Sequence, residues 1–97
     1  MIQIPEPFQN DLNLAVQILK GAGCKEIYIF GSVANGSAKK SSDLDLAIRG
    51  CPPDVSFFGL LGELLCALEH SVDLVDLDWR DDFARYLETQ GELQRVA

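Results

Sequence analysis

The pattern of apolar and polar residues along the chain predicts helices and strands in turn. From Phe8 to Lys20, apolar residues recur at intervals of four, which is typical of a helix that buries one face. Gly21 and Gly23 then end the helix, because glycine is common just past a helix terminus. Residues 26–30, Glu-Ile-Tyr-Ile-Phe, form a β-branched and aromatic run that predicts a strand. A glycine- and serine-rich segment from Gly31 to Ser42 follows it.

The second half of the chain continues the alternation. Its predicted elements are a strand over residues 43–48, a helix from Asp54 to about Glu69, a strand over 71–77 and a helix over 80–89. Asp54 is a suitable N-cap for the long helix, and Gly91 ends the last one. The apolar residues of the long helix, which we expect to be core, are Phe57, Phe58, Leu60, Leu61, Leu64, Leu65 and Leu68. The order of elements indicates an α/β architecture in which helices cover a small sheet.

Composition is that of an ordinary globular domain. The 97 residues, 47% hydrophobic and 24% charged, suffice for one domain over residues 1–97 with a buried core. No apolar run is long enough to span a membrane, and the N-terminal MIQIPEPFQN lacks the features of a signal peptide. We therefore expect a cytoplasmic protein with no membrane partner. Cys24, Cys51 and Cys66 have no metal-binding spacing, and reduced thiols are expected.

Net charge restricts the partners. The charge of −7, from 8 basic and 15 acidic residues, argues against direct binding of nucleic acid, which requires clustered Lys and Arg. Lys39-Lys40 is the one basic pair in the sequence. A negatively charged substrate would therefore need metal cations as a bridge, or a basic partner protein.

Two aspartates in the second predicted strand pose a physical question. Side chains alternate along a strand, so Asp43 and Asp45 point to the same side while Leu44 and Leu46 face the core. Like charges held side by side repel, and folding gains nothing from them. Divalent cations that bridge to phosphates would remove this penalty, so the pair predicts a metal–nucleotide site.

The segment before this strand has features of a phosphate site. Gly31 and Ser32 follow a strand directly, and ten residues separate Ser32 from Asp43. Gly31 would let the backbone approach a phosphate closely, because it has no Cβ. Ser32 supplies a hydroxyl, and the amides after it are expected to begin a short helix whose N-terminus favours anions. A P-loop fails because Ser37 stands where its lysine is required, and a calcium loop from Asp43 would have apolar residues at ligand positions.

Gly-Ser, ten residues and then Asp-x-Asp is similar to the signature of the DNA polymerase beta-like nucleotidyltransferase superfamily. The chain resembles its minimal nucleotidyltransferase branch across GSVANG, SDLDLAI, the leucine-rich helix and SVDLVDL. The resemblance implies a nucleotidyltransferase fold of the α/β (α+β) class, with a small mixed sheet of roughly three to four strands covered by about four helices.

The resemblance also implies the site residues. Asp43, Asp45 and a third carboxylate would be catalytic and would bind two Mg²⁺ ions, for which Mn²⁺ can substitute. Val72-Asp73-Leu74-Val75 matches the family's third acidic position, so Asp73 is selected. Asp76 and Asp78 remain competitors, although alternation puts Asp76 on the opposite strand face from Asp73. The implied nucleotide-binding residues are Gly31, Ser32, Lys39 and Lys40.

The implied activity is transfer of AMP from ATP to a hydroxyl on a partner protein. The minimal branch is similar to antitoxins that adenylylate a cognate HEPN-domain toxin in type VII toxin–antitoxin systems, which implies a hetero-oligomer with such a toxin. Val33 and Asn35 stand where the family commonly has basic residues. A binding module that neutralises its partner by occlusion therefore stays open as an alternative, as does a small-molecule nucleotidyltransferase.

Overall fold

The computed structural model describes residues 4–79, 82–90 and 93–97. The elements are α1 (Glu6–Gly21), β1 (Glu26–Phe30), α2 (Gly31–Asn35), β2 (Leu44–Arg49), α3 (Phe57–Ala67), β3 (Val72–Asp76), α4 (Asp82–Gln90) and β4 (Gln94–Arg95). They form a mixed four-stranded sheet in the order β3-β2-β1-β4. Strand β2 is parallel to β3 and antiparallel to β1, and β4 is antiparallel to β1. The predicted small mixed sheet with helices is confirmed.

Alternation along the strands gives the sheet two apolar faces. Side chains from β1 and β2 pack with α1 and α3 on one face, which we call the α1–α3 face; they are Ile27, Ile29, Leu44, Leu46 and Ile48. On the opposite face Phe30, Ala47 and Leu77 pack against Ala84 and Leu87 of α4, and we call this the α4 face. Because both faces of the sheet are covered, most residues of β2 are apolar, and Asp45 is a polar exception among them.

Helix α3 provides the crossover that two parallel strands require. It is capped by Ser56, whose Oγ accepts a hydrogen bond from the amide of Gly59 at 3.1 Å. The prediction of Asp54 as the N-cap is wrong. Asp54 lies in a turn closed by the hydrogen bond from the Val55 amide to the Pro52 carbonyl at 3.1 Å, so the helix begins only after that turn.

Only one side of α3 reaches the core. Leu60, Leu64 and, just past the helix, Leu68 are buried. Phe58 is 73% exposed and Leu65 is 49% exposed, so the expectation that all of these residues are core is wrong. A single helix packed on a sheet buries one stripe, and the sequence here is apolar over a wider arc than that stripe.

Apart from β1, whose bounds match, the boundaries of the predicted helices and strands differ from the prediction by one to three residues. Helix α1 begins at Glu6 rather than Phe8, and β2 begins at Leu44 rather than Asp43. Arg80, the predicted start of the last helix, and Gly91, its predicted stop, lie outside the described residues. No helix in the described part of the chain is both long and apolar enough to cross a bilayer.

Cys24 and Cys51 form a disulfide, so the expectation of reduced thiols is wrong for this pair. Cys24 precedes β1 and Cys51 follows β2, and the antiparallel pairing of Glu26 with Arg49 brings these flanking positions together. The two cysteines are 27 residues apart, and nothing in their spacing predicts that they pair. Cys66 is exposed and is not in a disulfide.

A buried carboxylate ties α1 to the segment that leads into β3. Asp11, only 2% exposed, accepts hydrogen bonds from the amides of Glu69 at 3.1 Å and His70 at 2.9 Å. It also contacts His70 Nδ1 at 2.7 Å, and the Phe8 ring stacks on that imidazole with centroids 4.1 Å apart. Burial acts to raise the pKa of Asp11, but the hydrogen bonds from His70 and Glu69 outweigh it and lower the pKa. No pattern in the sequence indicates this contact.

Candidate functional site

Two carboxylates meet on the α4 face of the sheet. Asp45 of β2 and Asp73 of β3 are register partners on parallel strands, and their side chains share a hydrogen bond. A hydrogen bond between two carboxyl groups requires one proton between them. The strands therefore hold in contact two groups that repel each other when both are ionised.

The surroundings of Asp45 favour its neutral form. Burial is the largest cause, followed by the negative charge of Asp73, the hydrogen bond with Asp73 and the charge of Asp43. Together they raise the pKa of Asp45 from 3.8 to about 6. At neutral pH Asp45 is therefore ionised in surroundings that disfavour its negative charge.

Asp43 lies just outside the strand that it was predicted to begin. It is exposed and directly precedes Leu44, the first residue of β2. Leu44 and Leu46 are fully buried on the α1–α3 face, so the predicted alternation is confirmed for these two. Asp43 is close enough for its charge to raise the pKa of Asp45.

Asp76, one competitor for the third acidic position, lies on the other side of β3. It lines a cavity of about 330 Å³ together with Ile48, Phe57 and Trp79, on the α1–α3 face. Burial and the charge of Asp78 raise its pKa, although the Asp78 amide opposes them. The structure thus brings Asp73, and not Asp76, next to Asp45.

Gly31 makes room for the Asp45 side chain. Its φ is +69°, and a Cβ at this position would collide with Asp45 Oδ2. Both the backbone conformation and the space therefore require glycine. The sequence predicted that the missing Cβ of Gly31 makes room for a phosphate. In the structure, the space is occupied by the carboxylate of Asp45.

The short helix expected after the strand is present as α2. Ser32 is its second residue and is half-buried, and its carbonyl accepts hydrogen bonds from the amides of Gly36, Ser37 and Ala38. Gly36 ends the helix with a φ of +83°. Gly31 and Ser32 thus follow β1 directly, and Gly31 is the one of the two that the structure shows against Asp45.

The two lysines lie on a separate turn. The Lys39 amide donates to Ser42 Oγ at 2.9 Å, and the Ser42 amide donates to the Lys39 carbonyl at 2.9 Å. Lys39 and Lys40 are exposed, and neither forms an ion pair with an acidic residue of the described ranges. The structure does not bring them into contact with the aspartates.

The side chains of Asp43, Asp45 and Asp73 are the candidate ligands for the Mg²⁺ that the resemblance implies. Among residues 4–79, 82–90 and 93–97, no group of three His, Cys, Asp or Glu side chains is already arranged to hold a metal ion. Asp45 and Asp73 nevertheless offer hard oxygen donors, which Mg²⁺ and Mn²⁺ prefer, and a divalent cation can replace the shared proton. With the exposed Asp43 beside them, these residues fit such an ion in donor chemistry and charge.

An aromatic pair that the sequence did not connect with the site lies beside it on α4. The ring of Phe83 meets that of Phe30 edge to face, with centroids 6.0 Å apart. Phe30 is the register partner of Asp45, so the two side chains lie on the same face. Tyr86 is stacked next to Phe83. Helical spacing alone could place Phe83 and Tyr86 together, but only the packing of α4 places them near the strand end.

Comparison with known proteins agrees with the fold. The family model described as polymerase beta, nucleotidyltransferase matches residues 13–93. A curated relative, protein adenylyltransferase MntA of Shewanella oneidensis, is 38% identical over 53 residues, which are 53% of this chain and 38% of that protein. The chain thus spans well under half of that relative.

Solved structures share the architecture at low sequence identity. A crystal structure of a toxin–antitoxin with AMP-PNP has a TM-score of 0.69 at 24% identity, covering 89% of this chain and 71% of that one. The toxin–antitoxin MntA–HepT has a TM-score of 0.62 at 23% identity, covering 90% and 69%. A tri-AMPylated Shewanella oneidensis HEPN toxin in complex with an MNT antitoxin has a TM-score of 0.62 at 24% identity, covering 90% and 69%. At these identities the likeness confirms the nucleotidyltransferase fold.

Proposed function

The chain belongs to the polymerase beta nucleotidyltransferase family, and from this premise we propose that it is a metal-dependent nucleotidyltransferase that transfers AMP from ATP to a hydroxyl group of a partner protein. The observation that carries the proposal is the contact between Asp45 and Asp73 at the end of β1, beside Gly31. A pair of carboxylates that repel each other and raise a pKa is characteristic of a functional site.

Each residue of the site has a role in this reaction. Asp43 and Asp45 bind Mg²⁺, and Asp73 completes the site and accepts the proton of the attacking hydroxyl. Gly31 and Ser32 form the wall against which the triphosphate lies. Mg²⁺ bound here would supply charge neutralisation for the triphosphate and the leaving pyrophosphate. The protein contributes mainly position, because the strands fix the carboxylates before the substrate arrives.

Lys39 and Lys40 are the remaining candidates for contacts with the nucleotide. Their turn is held by hydrogen bonds between Lys39 and Ser42 rather than by contacts to the aspartates. In our proposal they approach the phosphates only with substrate bound, and their contribution is smaller than that of the carboxylates.

The proposed partner is a HEPN-domain toxin, for which the chain would be the antitoxin of a type VII toxin–antitoxin pair. MntA is named a protein adenylyltransferase, and the structural neighbours are toxin–antitoxin complexes, one of them with an AMPylated HEPN toxin. The net charge of −7 favours association with a basic, RNA-binding protein.

The test is incubation of the chain with α-labelled ATP, Mg²⁺ and the protein encoded beside it. Transfer of label to that protein, lost in Asp43→Ala and in Asp45→Ala, supports the enzyme. Tight binding to the partner with no transfer would instead support the alternative, a module that neutralises by occlusion. That alternative is favoured by Val33 and Asn35, which stand where the family commonly has basic residues. Turnover on an added small alcohol without a partner would identify a small-molecule nucleotidyltransferase.

A further inference from the structure

We propose that the exposed ring of Phe83, extended by Tyr86, is the surface on which the base of the nucleoside triphosphate stacks. The inference rests on the proposed function, because it takes a nucleoside triphosphate as the substrate held at the aspartates. It assigns a role to two aromatic side chains of α4 that the reaction chemistry leaves unused.

The position of Phe83 relative to Asp45 follows from one strand pairing and one ring contact. Asp45 is paired with Phe30 across β1 and β2, and both side chains are on the α4 face. Phe30 is 7% exposed, and its ring contacts that of Phe83 at a centroid distance of 6.0 Å and an interplanar angle of 68°. Phe83 therefore contacts the register partner of Asp45 on the face of the sheet that carries the carboxylate. In a nucleotide, one ribose lies between the base and the phosphates, so a nucleotide held by its phosphates at the aspartates extends its base along the surface of the protein.

The proposed surface is aromatic and open to solvent. Phe83 is 49% exposed and Tyr86 is 53% exposed. Their rings are nearly parallel, with an interplanar angle of 14° and centroids 6.5 Å apart. Exposed aromatic rings next to a charged site leave apolar area in water, and a planar ligand anchored by its phosphates would cover it.

Stacking of this kind is tolerant of base identity, because every base has a π-face. The proposal therefore predicts that ATP and GTP bind with similar affinity, and that selectivity for AMP transfer, where present, has another origin. A partner protein's apolar side chain is the competing occupant, and the experiment separates the two.

Binding is measured by calorimetry with Mg²⁺ and two ligands, α,β-methylene-ATP and inorganic tripolyphosphate. The first has a base and the second has none. Phe83→Ala should weaken binding of the ATP analogue about tenfold and leave tripolyphosphate binding unchanged. Phe83→Leu, which keeps apolar packing on Phe30, should show the same loss, and Phe83→Trp should retain binding. Phe58→Ala is the matched control, since Phe58 is an exposed aromatic residue on α3, across the sheet.

A spectroscopic readout reports stacking directly. Trp79 is the one tryptophan of the chain, so Trp79→Phe combined with Phe83→Trp moves the only indole to the proposed surface. Its emission should be quenched by the ATP analogue and by GTP but not by tripolyphosphate. A melting temperature equal to that of Trp79→Phe shows that this variant is folded.

The outcomes are distinct. Equal weakening of both ligands, or unchanged binding of the ATP analogue in Phe83→Ala, overturns the stacking surface while leaving the enzyme intact. Loss of partner binding in Phe83→Ala with unchanged nucleotide affinity identifies a protein-binding surface and also overturns the proposal. Failure of the wild-type chain to bind either ligand overturns the proposed function itself.

Discussion

Asp45 and Asp73 face each other in register across β2 and β3 and share a hydrogen bond, yet neither forms an ion pair with a basic side chain in the described ranges. Parallel pairing places their Cα atoms opposite each other, so the carboxyl groups meet whenever both side chains point to the same face. The repulsion therefore destabilises the folded state unless a proton or a cation neutralises it. The first three predictions follow from this contact.

The stability of the metal-free protein should depend on pH through Asp45. Its pKa is raised from 3.8 to about 6 in the folded state, so the folded state binds the proton more tightly than the unfolded state does. The stability contributed by this group is fully present below pH 3.8 and is lost as the pH rises through about 6. Asp45→Asn removes this dependence. Urea unfolding should show that Asp45→Asn gains stability relative to wild type as the pH increases across that window. A constant difference between the two proteins would contradict the prediction.

Divalent cations should stabilise the protein through the same pair. Because Mg²⁺ or Mn²⁺ binds the folded state, unfolding becomes less favourable by about 2.7 kcal/mol at a cation concentration of roughly a hundred times Kd. Thermal unfolding with and without the cation measures the effect, and chelator should reverse it. Asp45→Asn and Asp73→Asn should lose the response. Asp76→Asn, on the same strand but the opposite face, should keep it.

The rate of AMP transfer should distinguish the role of Asp73 from that of Asp76. Asp73→Asn removes the group that binds the cation and accepts a proton, and we expect the transfer rate to fall on the order of 10³-fold. Asp76→Asn should transfer at the wild-type rate, since Asp76 lines the cavity on the α1–α3 face. Single-turnover rates with labelled ATP and the partner protein give both values. The reverse order of the two variants would reject the assignment of the third carboxylate.

Gly31→Ala should destabilise the fold more than Gly36→Ala. Both glycines have a positive φ, which costs a residue with a Cβ about 1–2 kcal/mol. A Cβ at Gly36 meets no atom within 4 Å, whereas one at Gly31 collides with the Asp45 carboxylate. The free energy of unfolding in urea should therefore fall further for Gly31→Ala. Asp45→Ala in the same chain should recover the excess. Equal effects of the two glycine substitutions would show that Asp45 does not limit this position.

Removal of the buried Asp11 carboxylate should be costly. Asp11→Ala leaves the amides of Glu69 and His70 without their acceptor, and we expect a loss of about 2–4 kcal/mol. The pKa of Asp11 is lowered by these bonds, so its contribution is present above its unfolded pKa and disappears on acidification. Asn13→Ala, an exposed position of the same helix, should change stability by less than about 0.5 kcal/mol. Similar losses for both variants would contradict the role of the hydrogen bonds.

Local periodicity was enough to predict several strands and the residues that face the core. The strand over residues 26–30 was predicted without error, and the apolar positions Leu44 and Leu46 were assigned to the core because alternation admits no other arrangement. The same alternation put Asp73 and Asp76 on opposite faces before any coordinates. The family signature added the separation of Gly-Ser from Asp-x-Asp, and the fold that this signature implied is confirmed.

Contacts between residues far apart in the chain become known only from the folded arrangement of the strands and helices. Three such contacts join positions far apart in the chain. They are the Cys24–Cys51 disulfide, the hydrogen bonds from the Glu69 and His70 amides to Asp11, and the contact of Phe83 with Phe30. No local pattern records such pairs, because they arise from strand register and from the angle at which a helix crosses the sheet. The collision that makes Gly31 obligatory is of the same kind, since it depends on where β2 sets the carboxylate of Asp45.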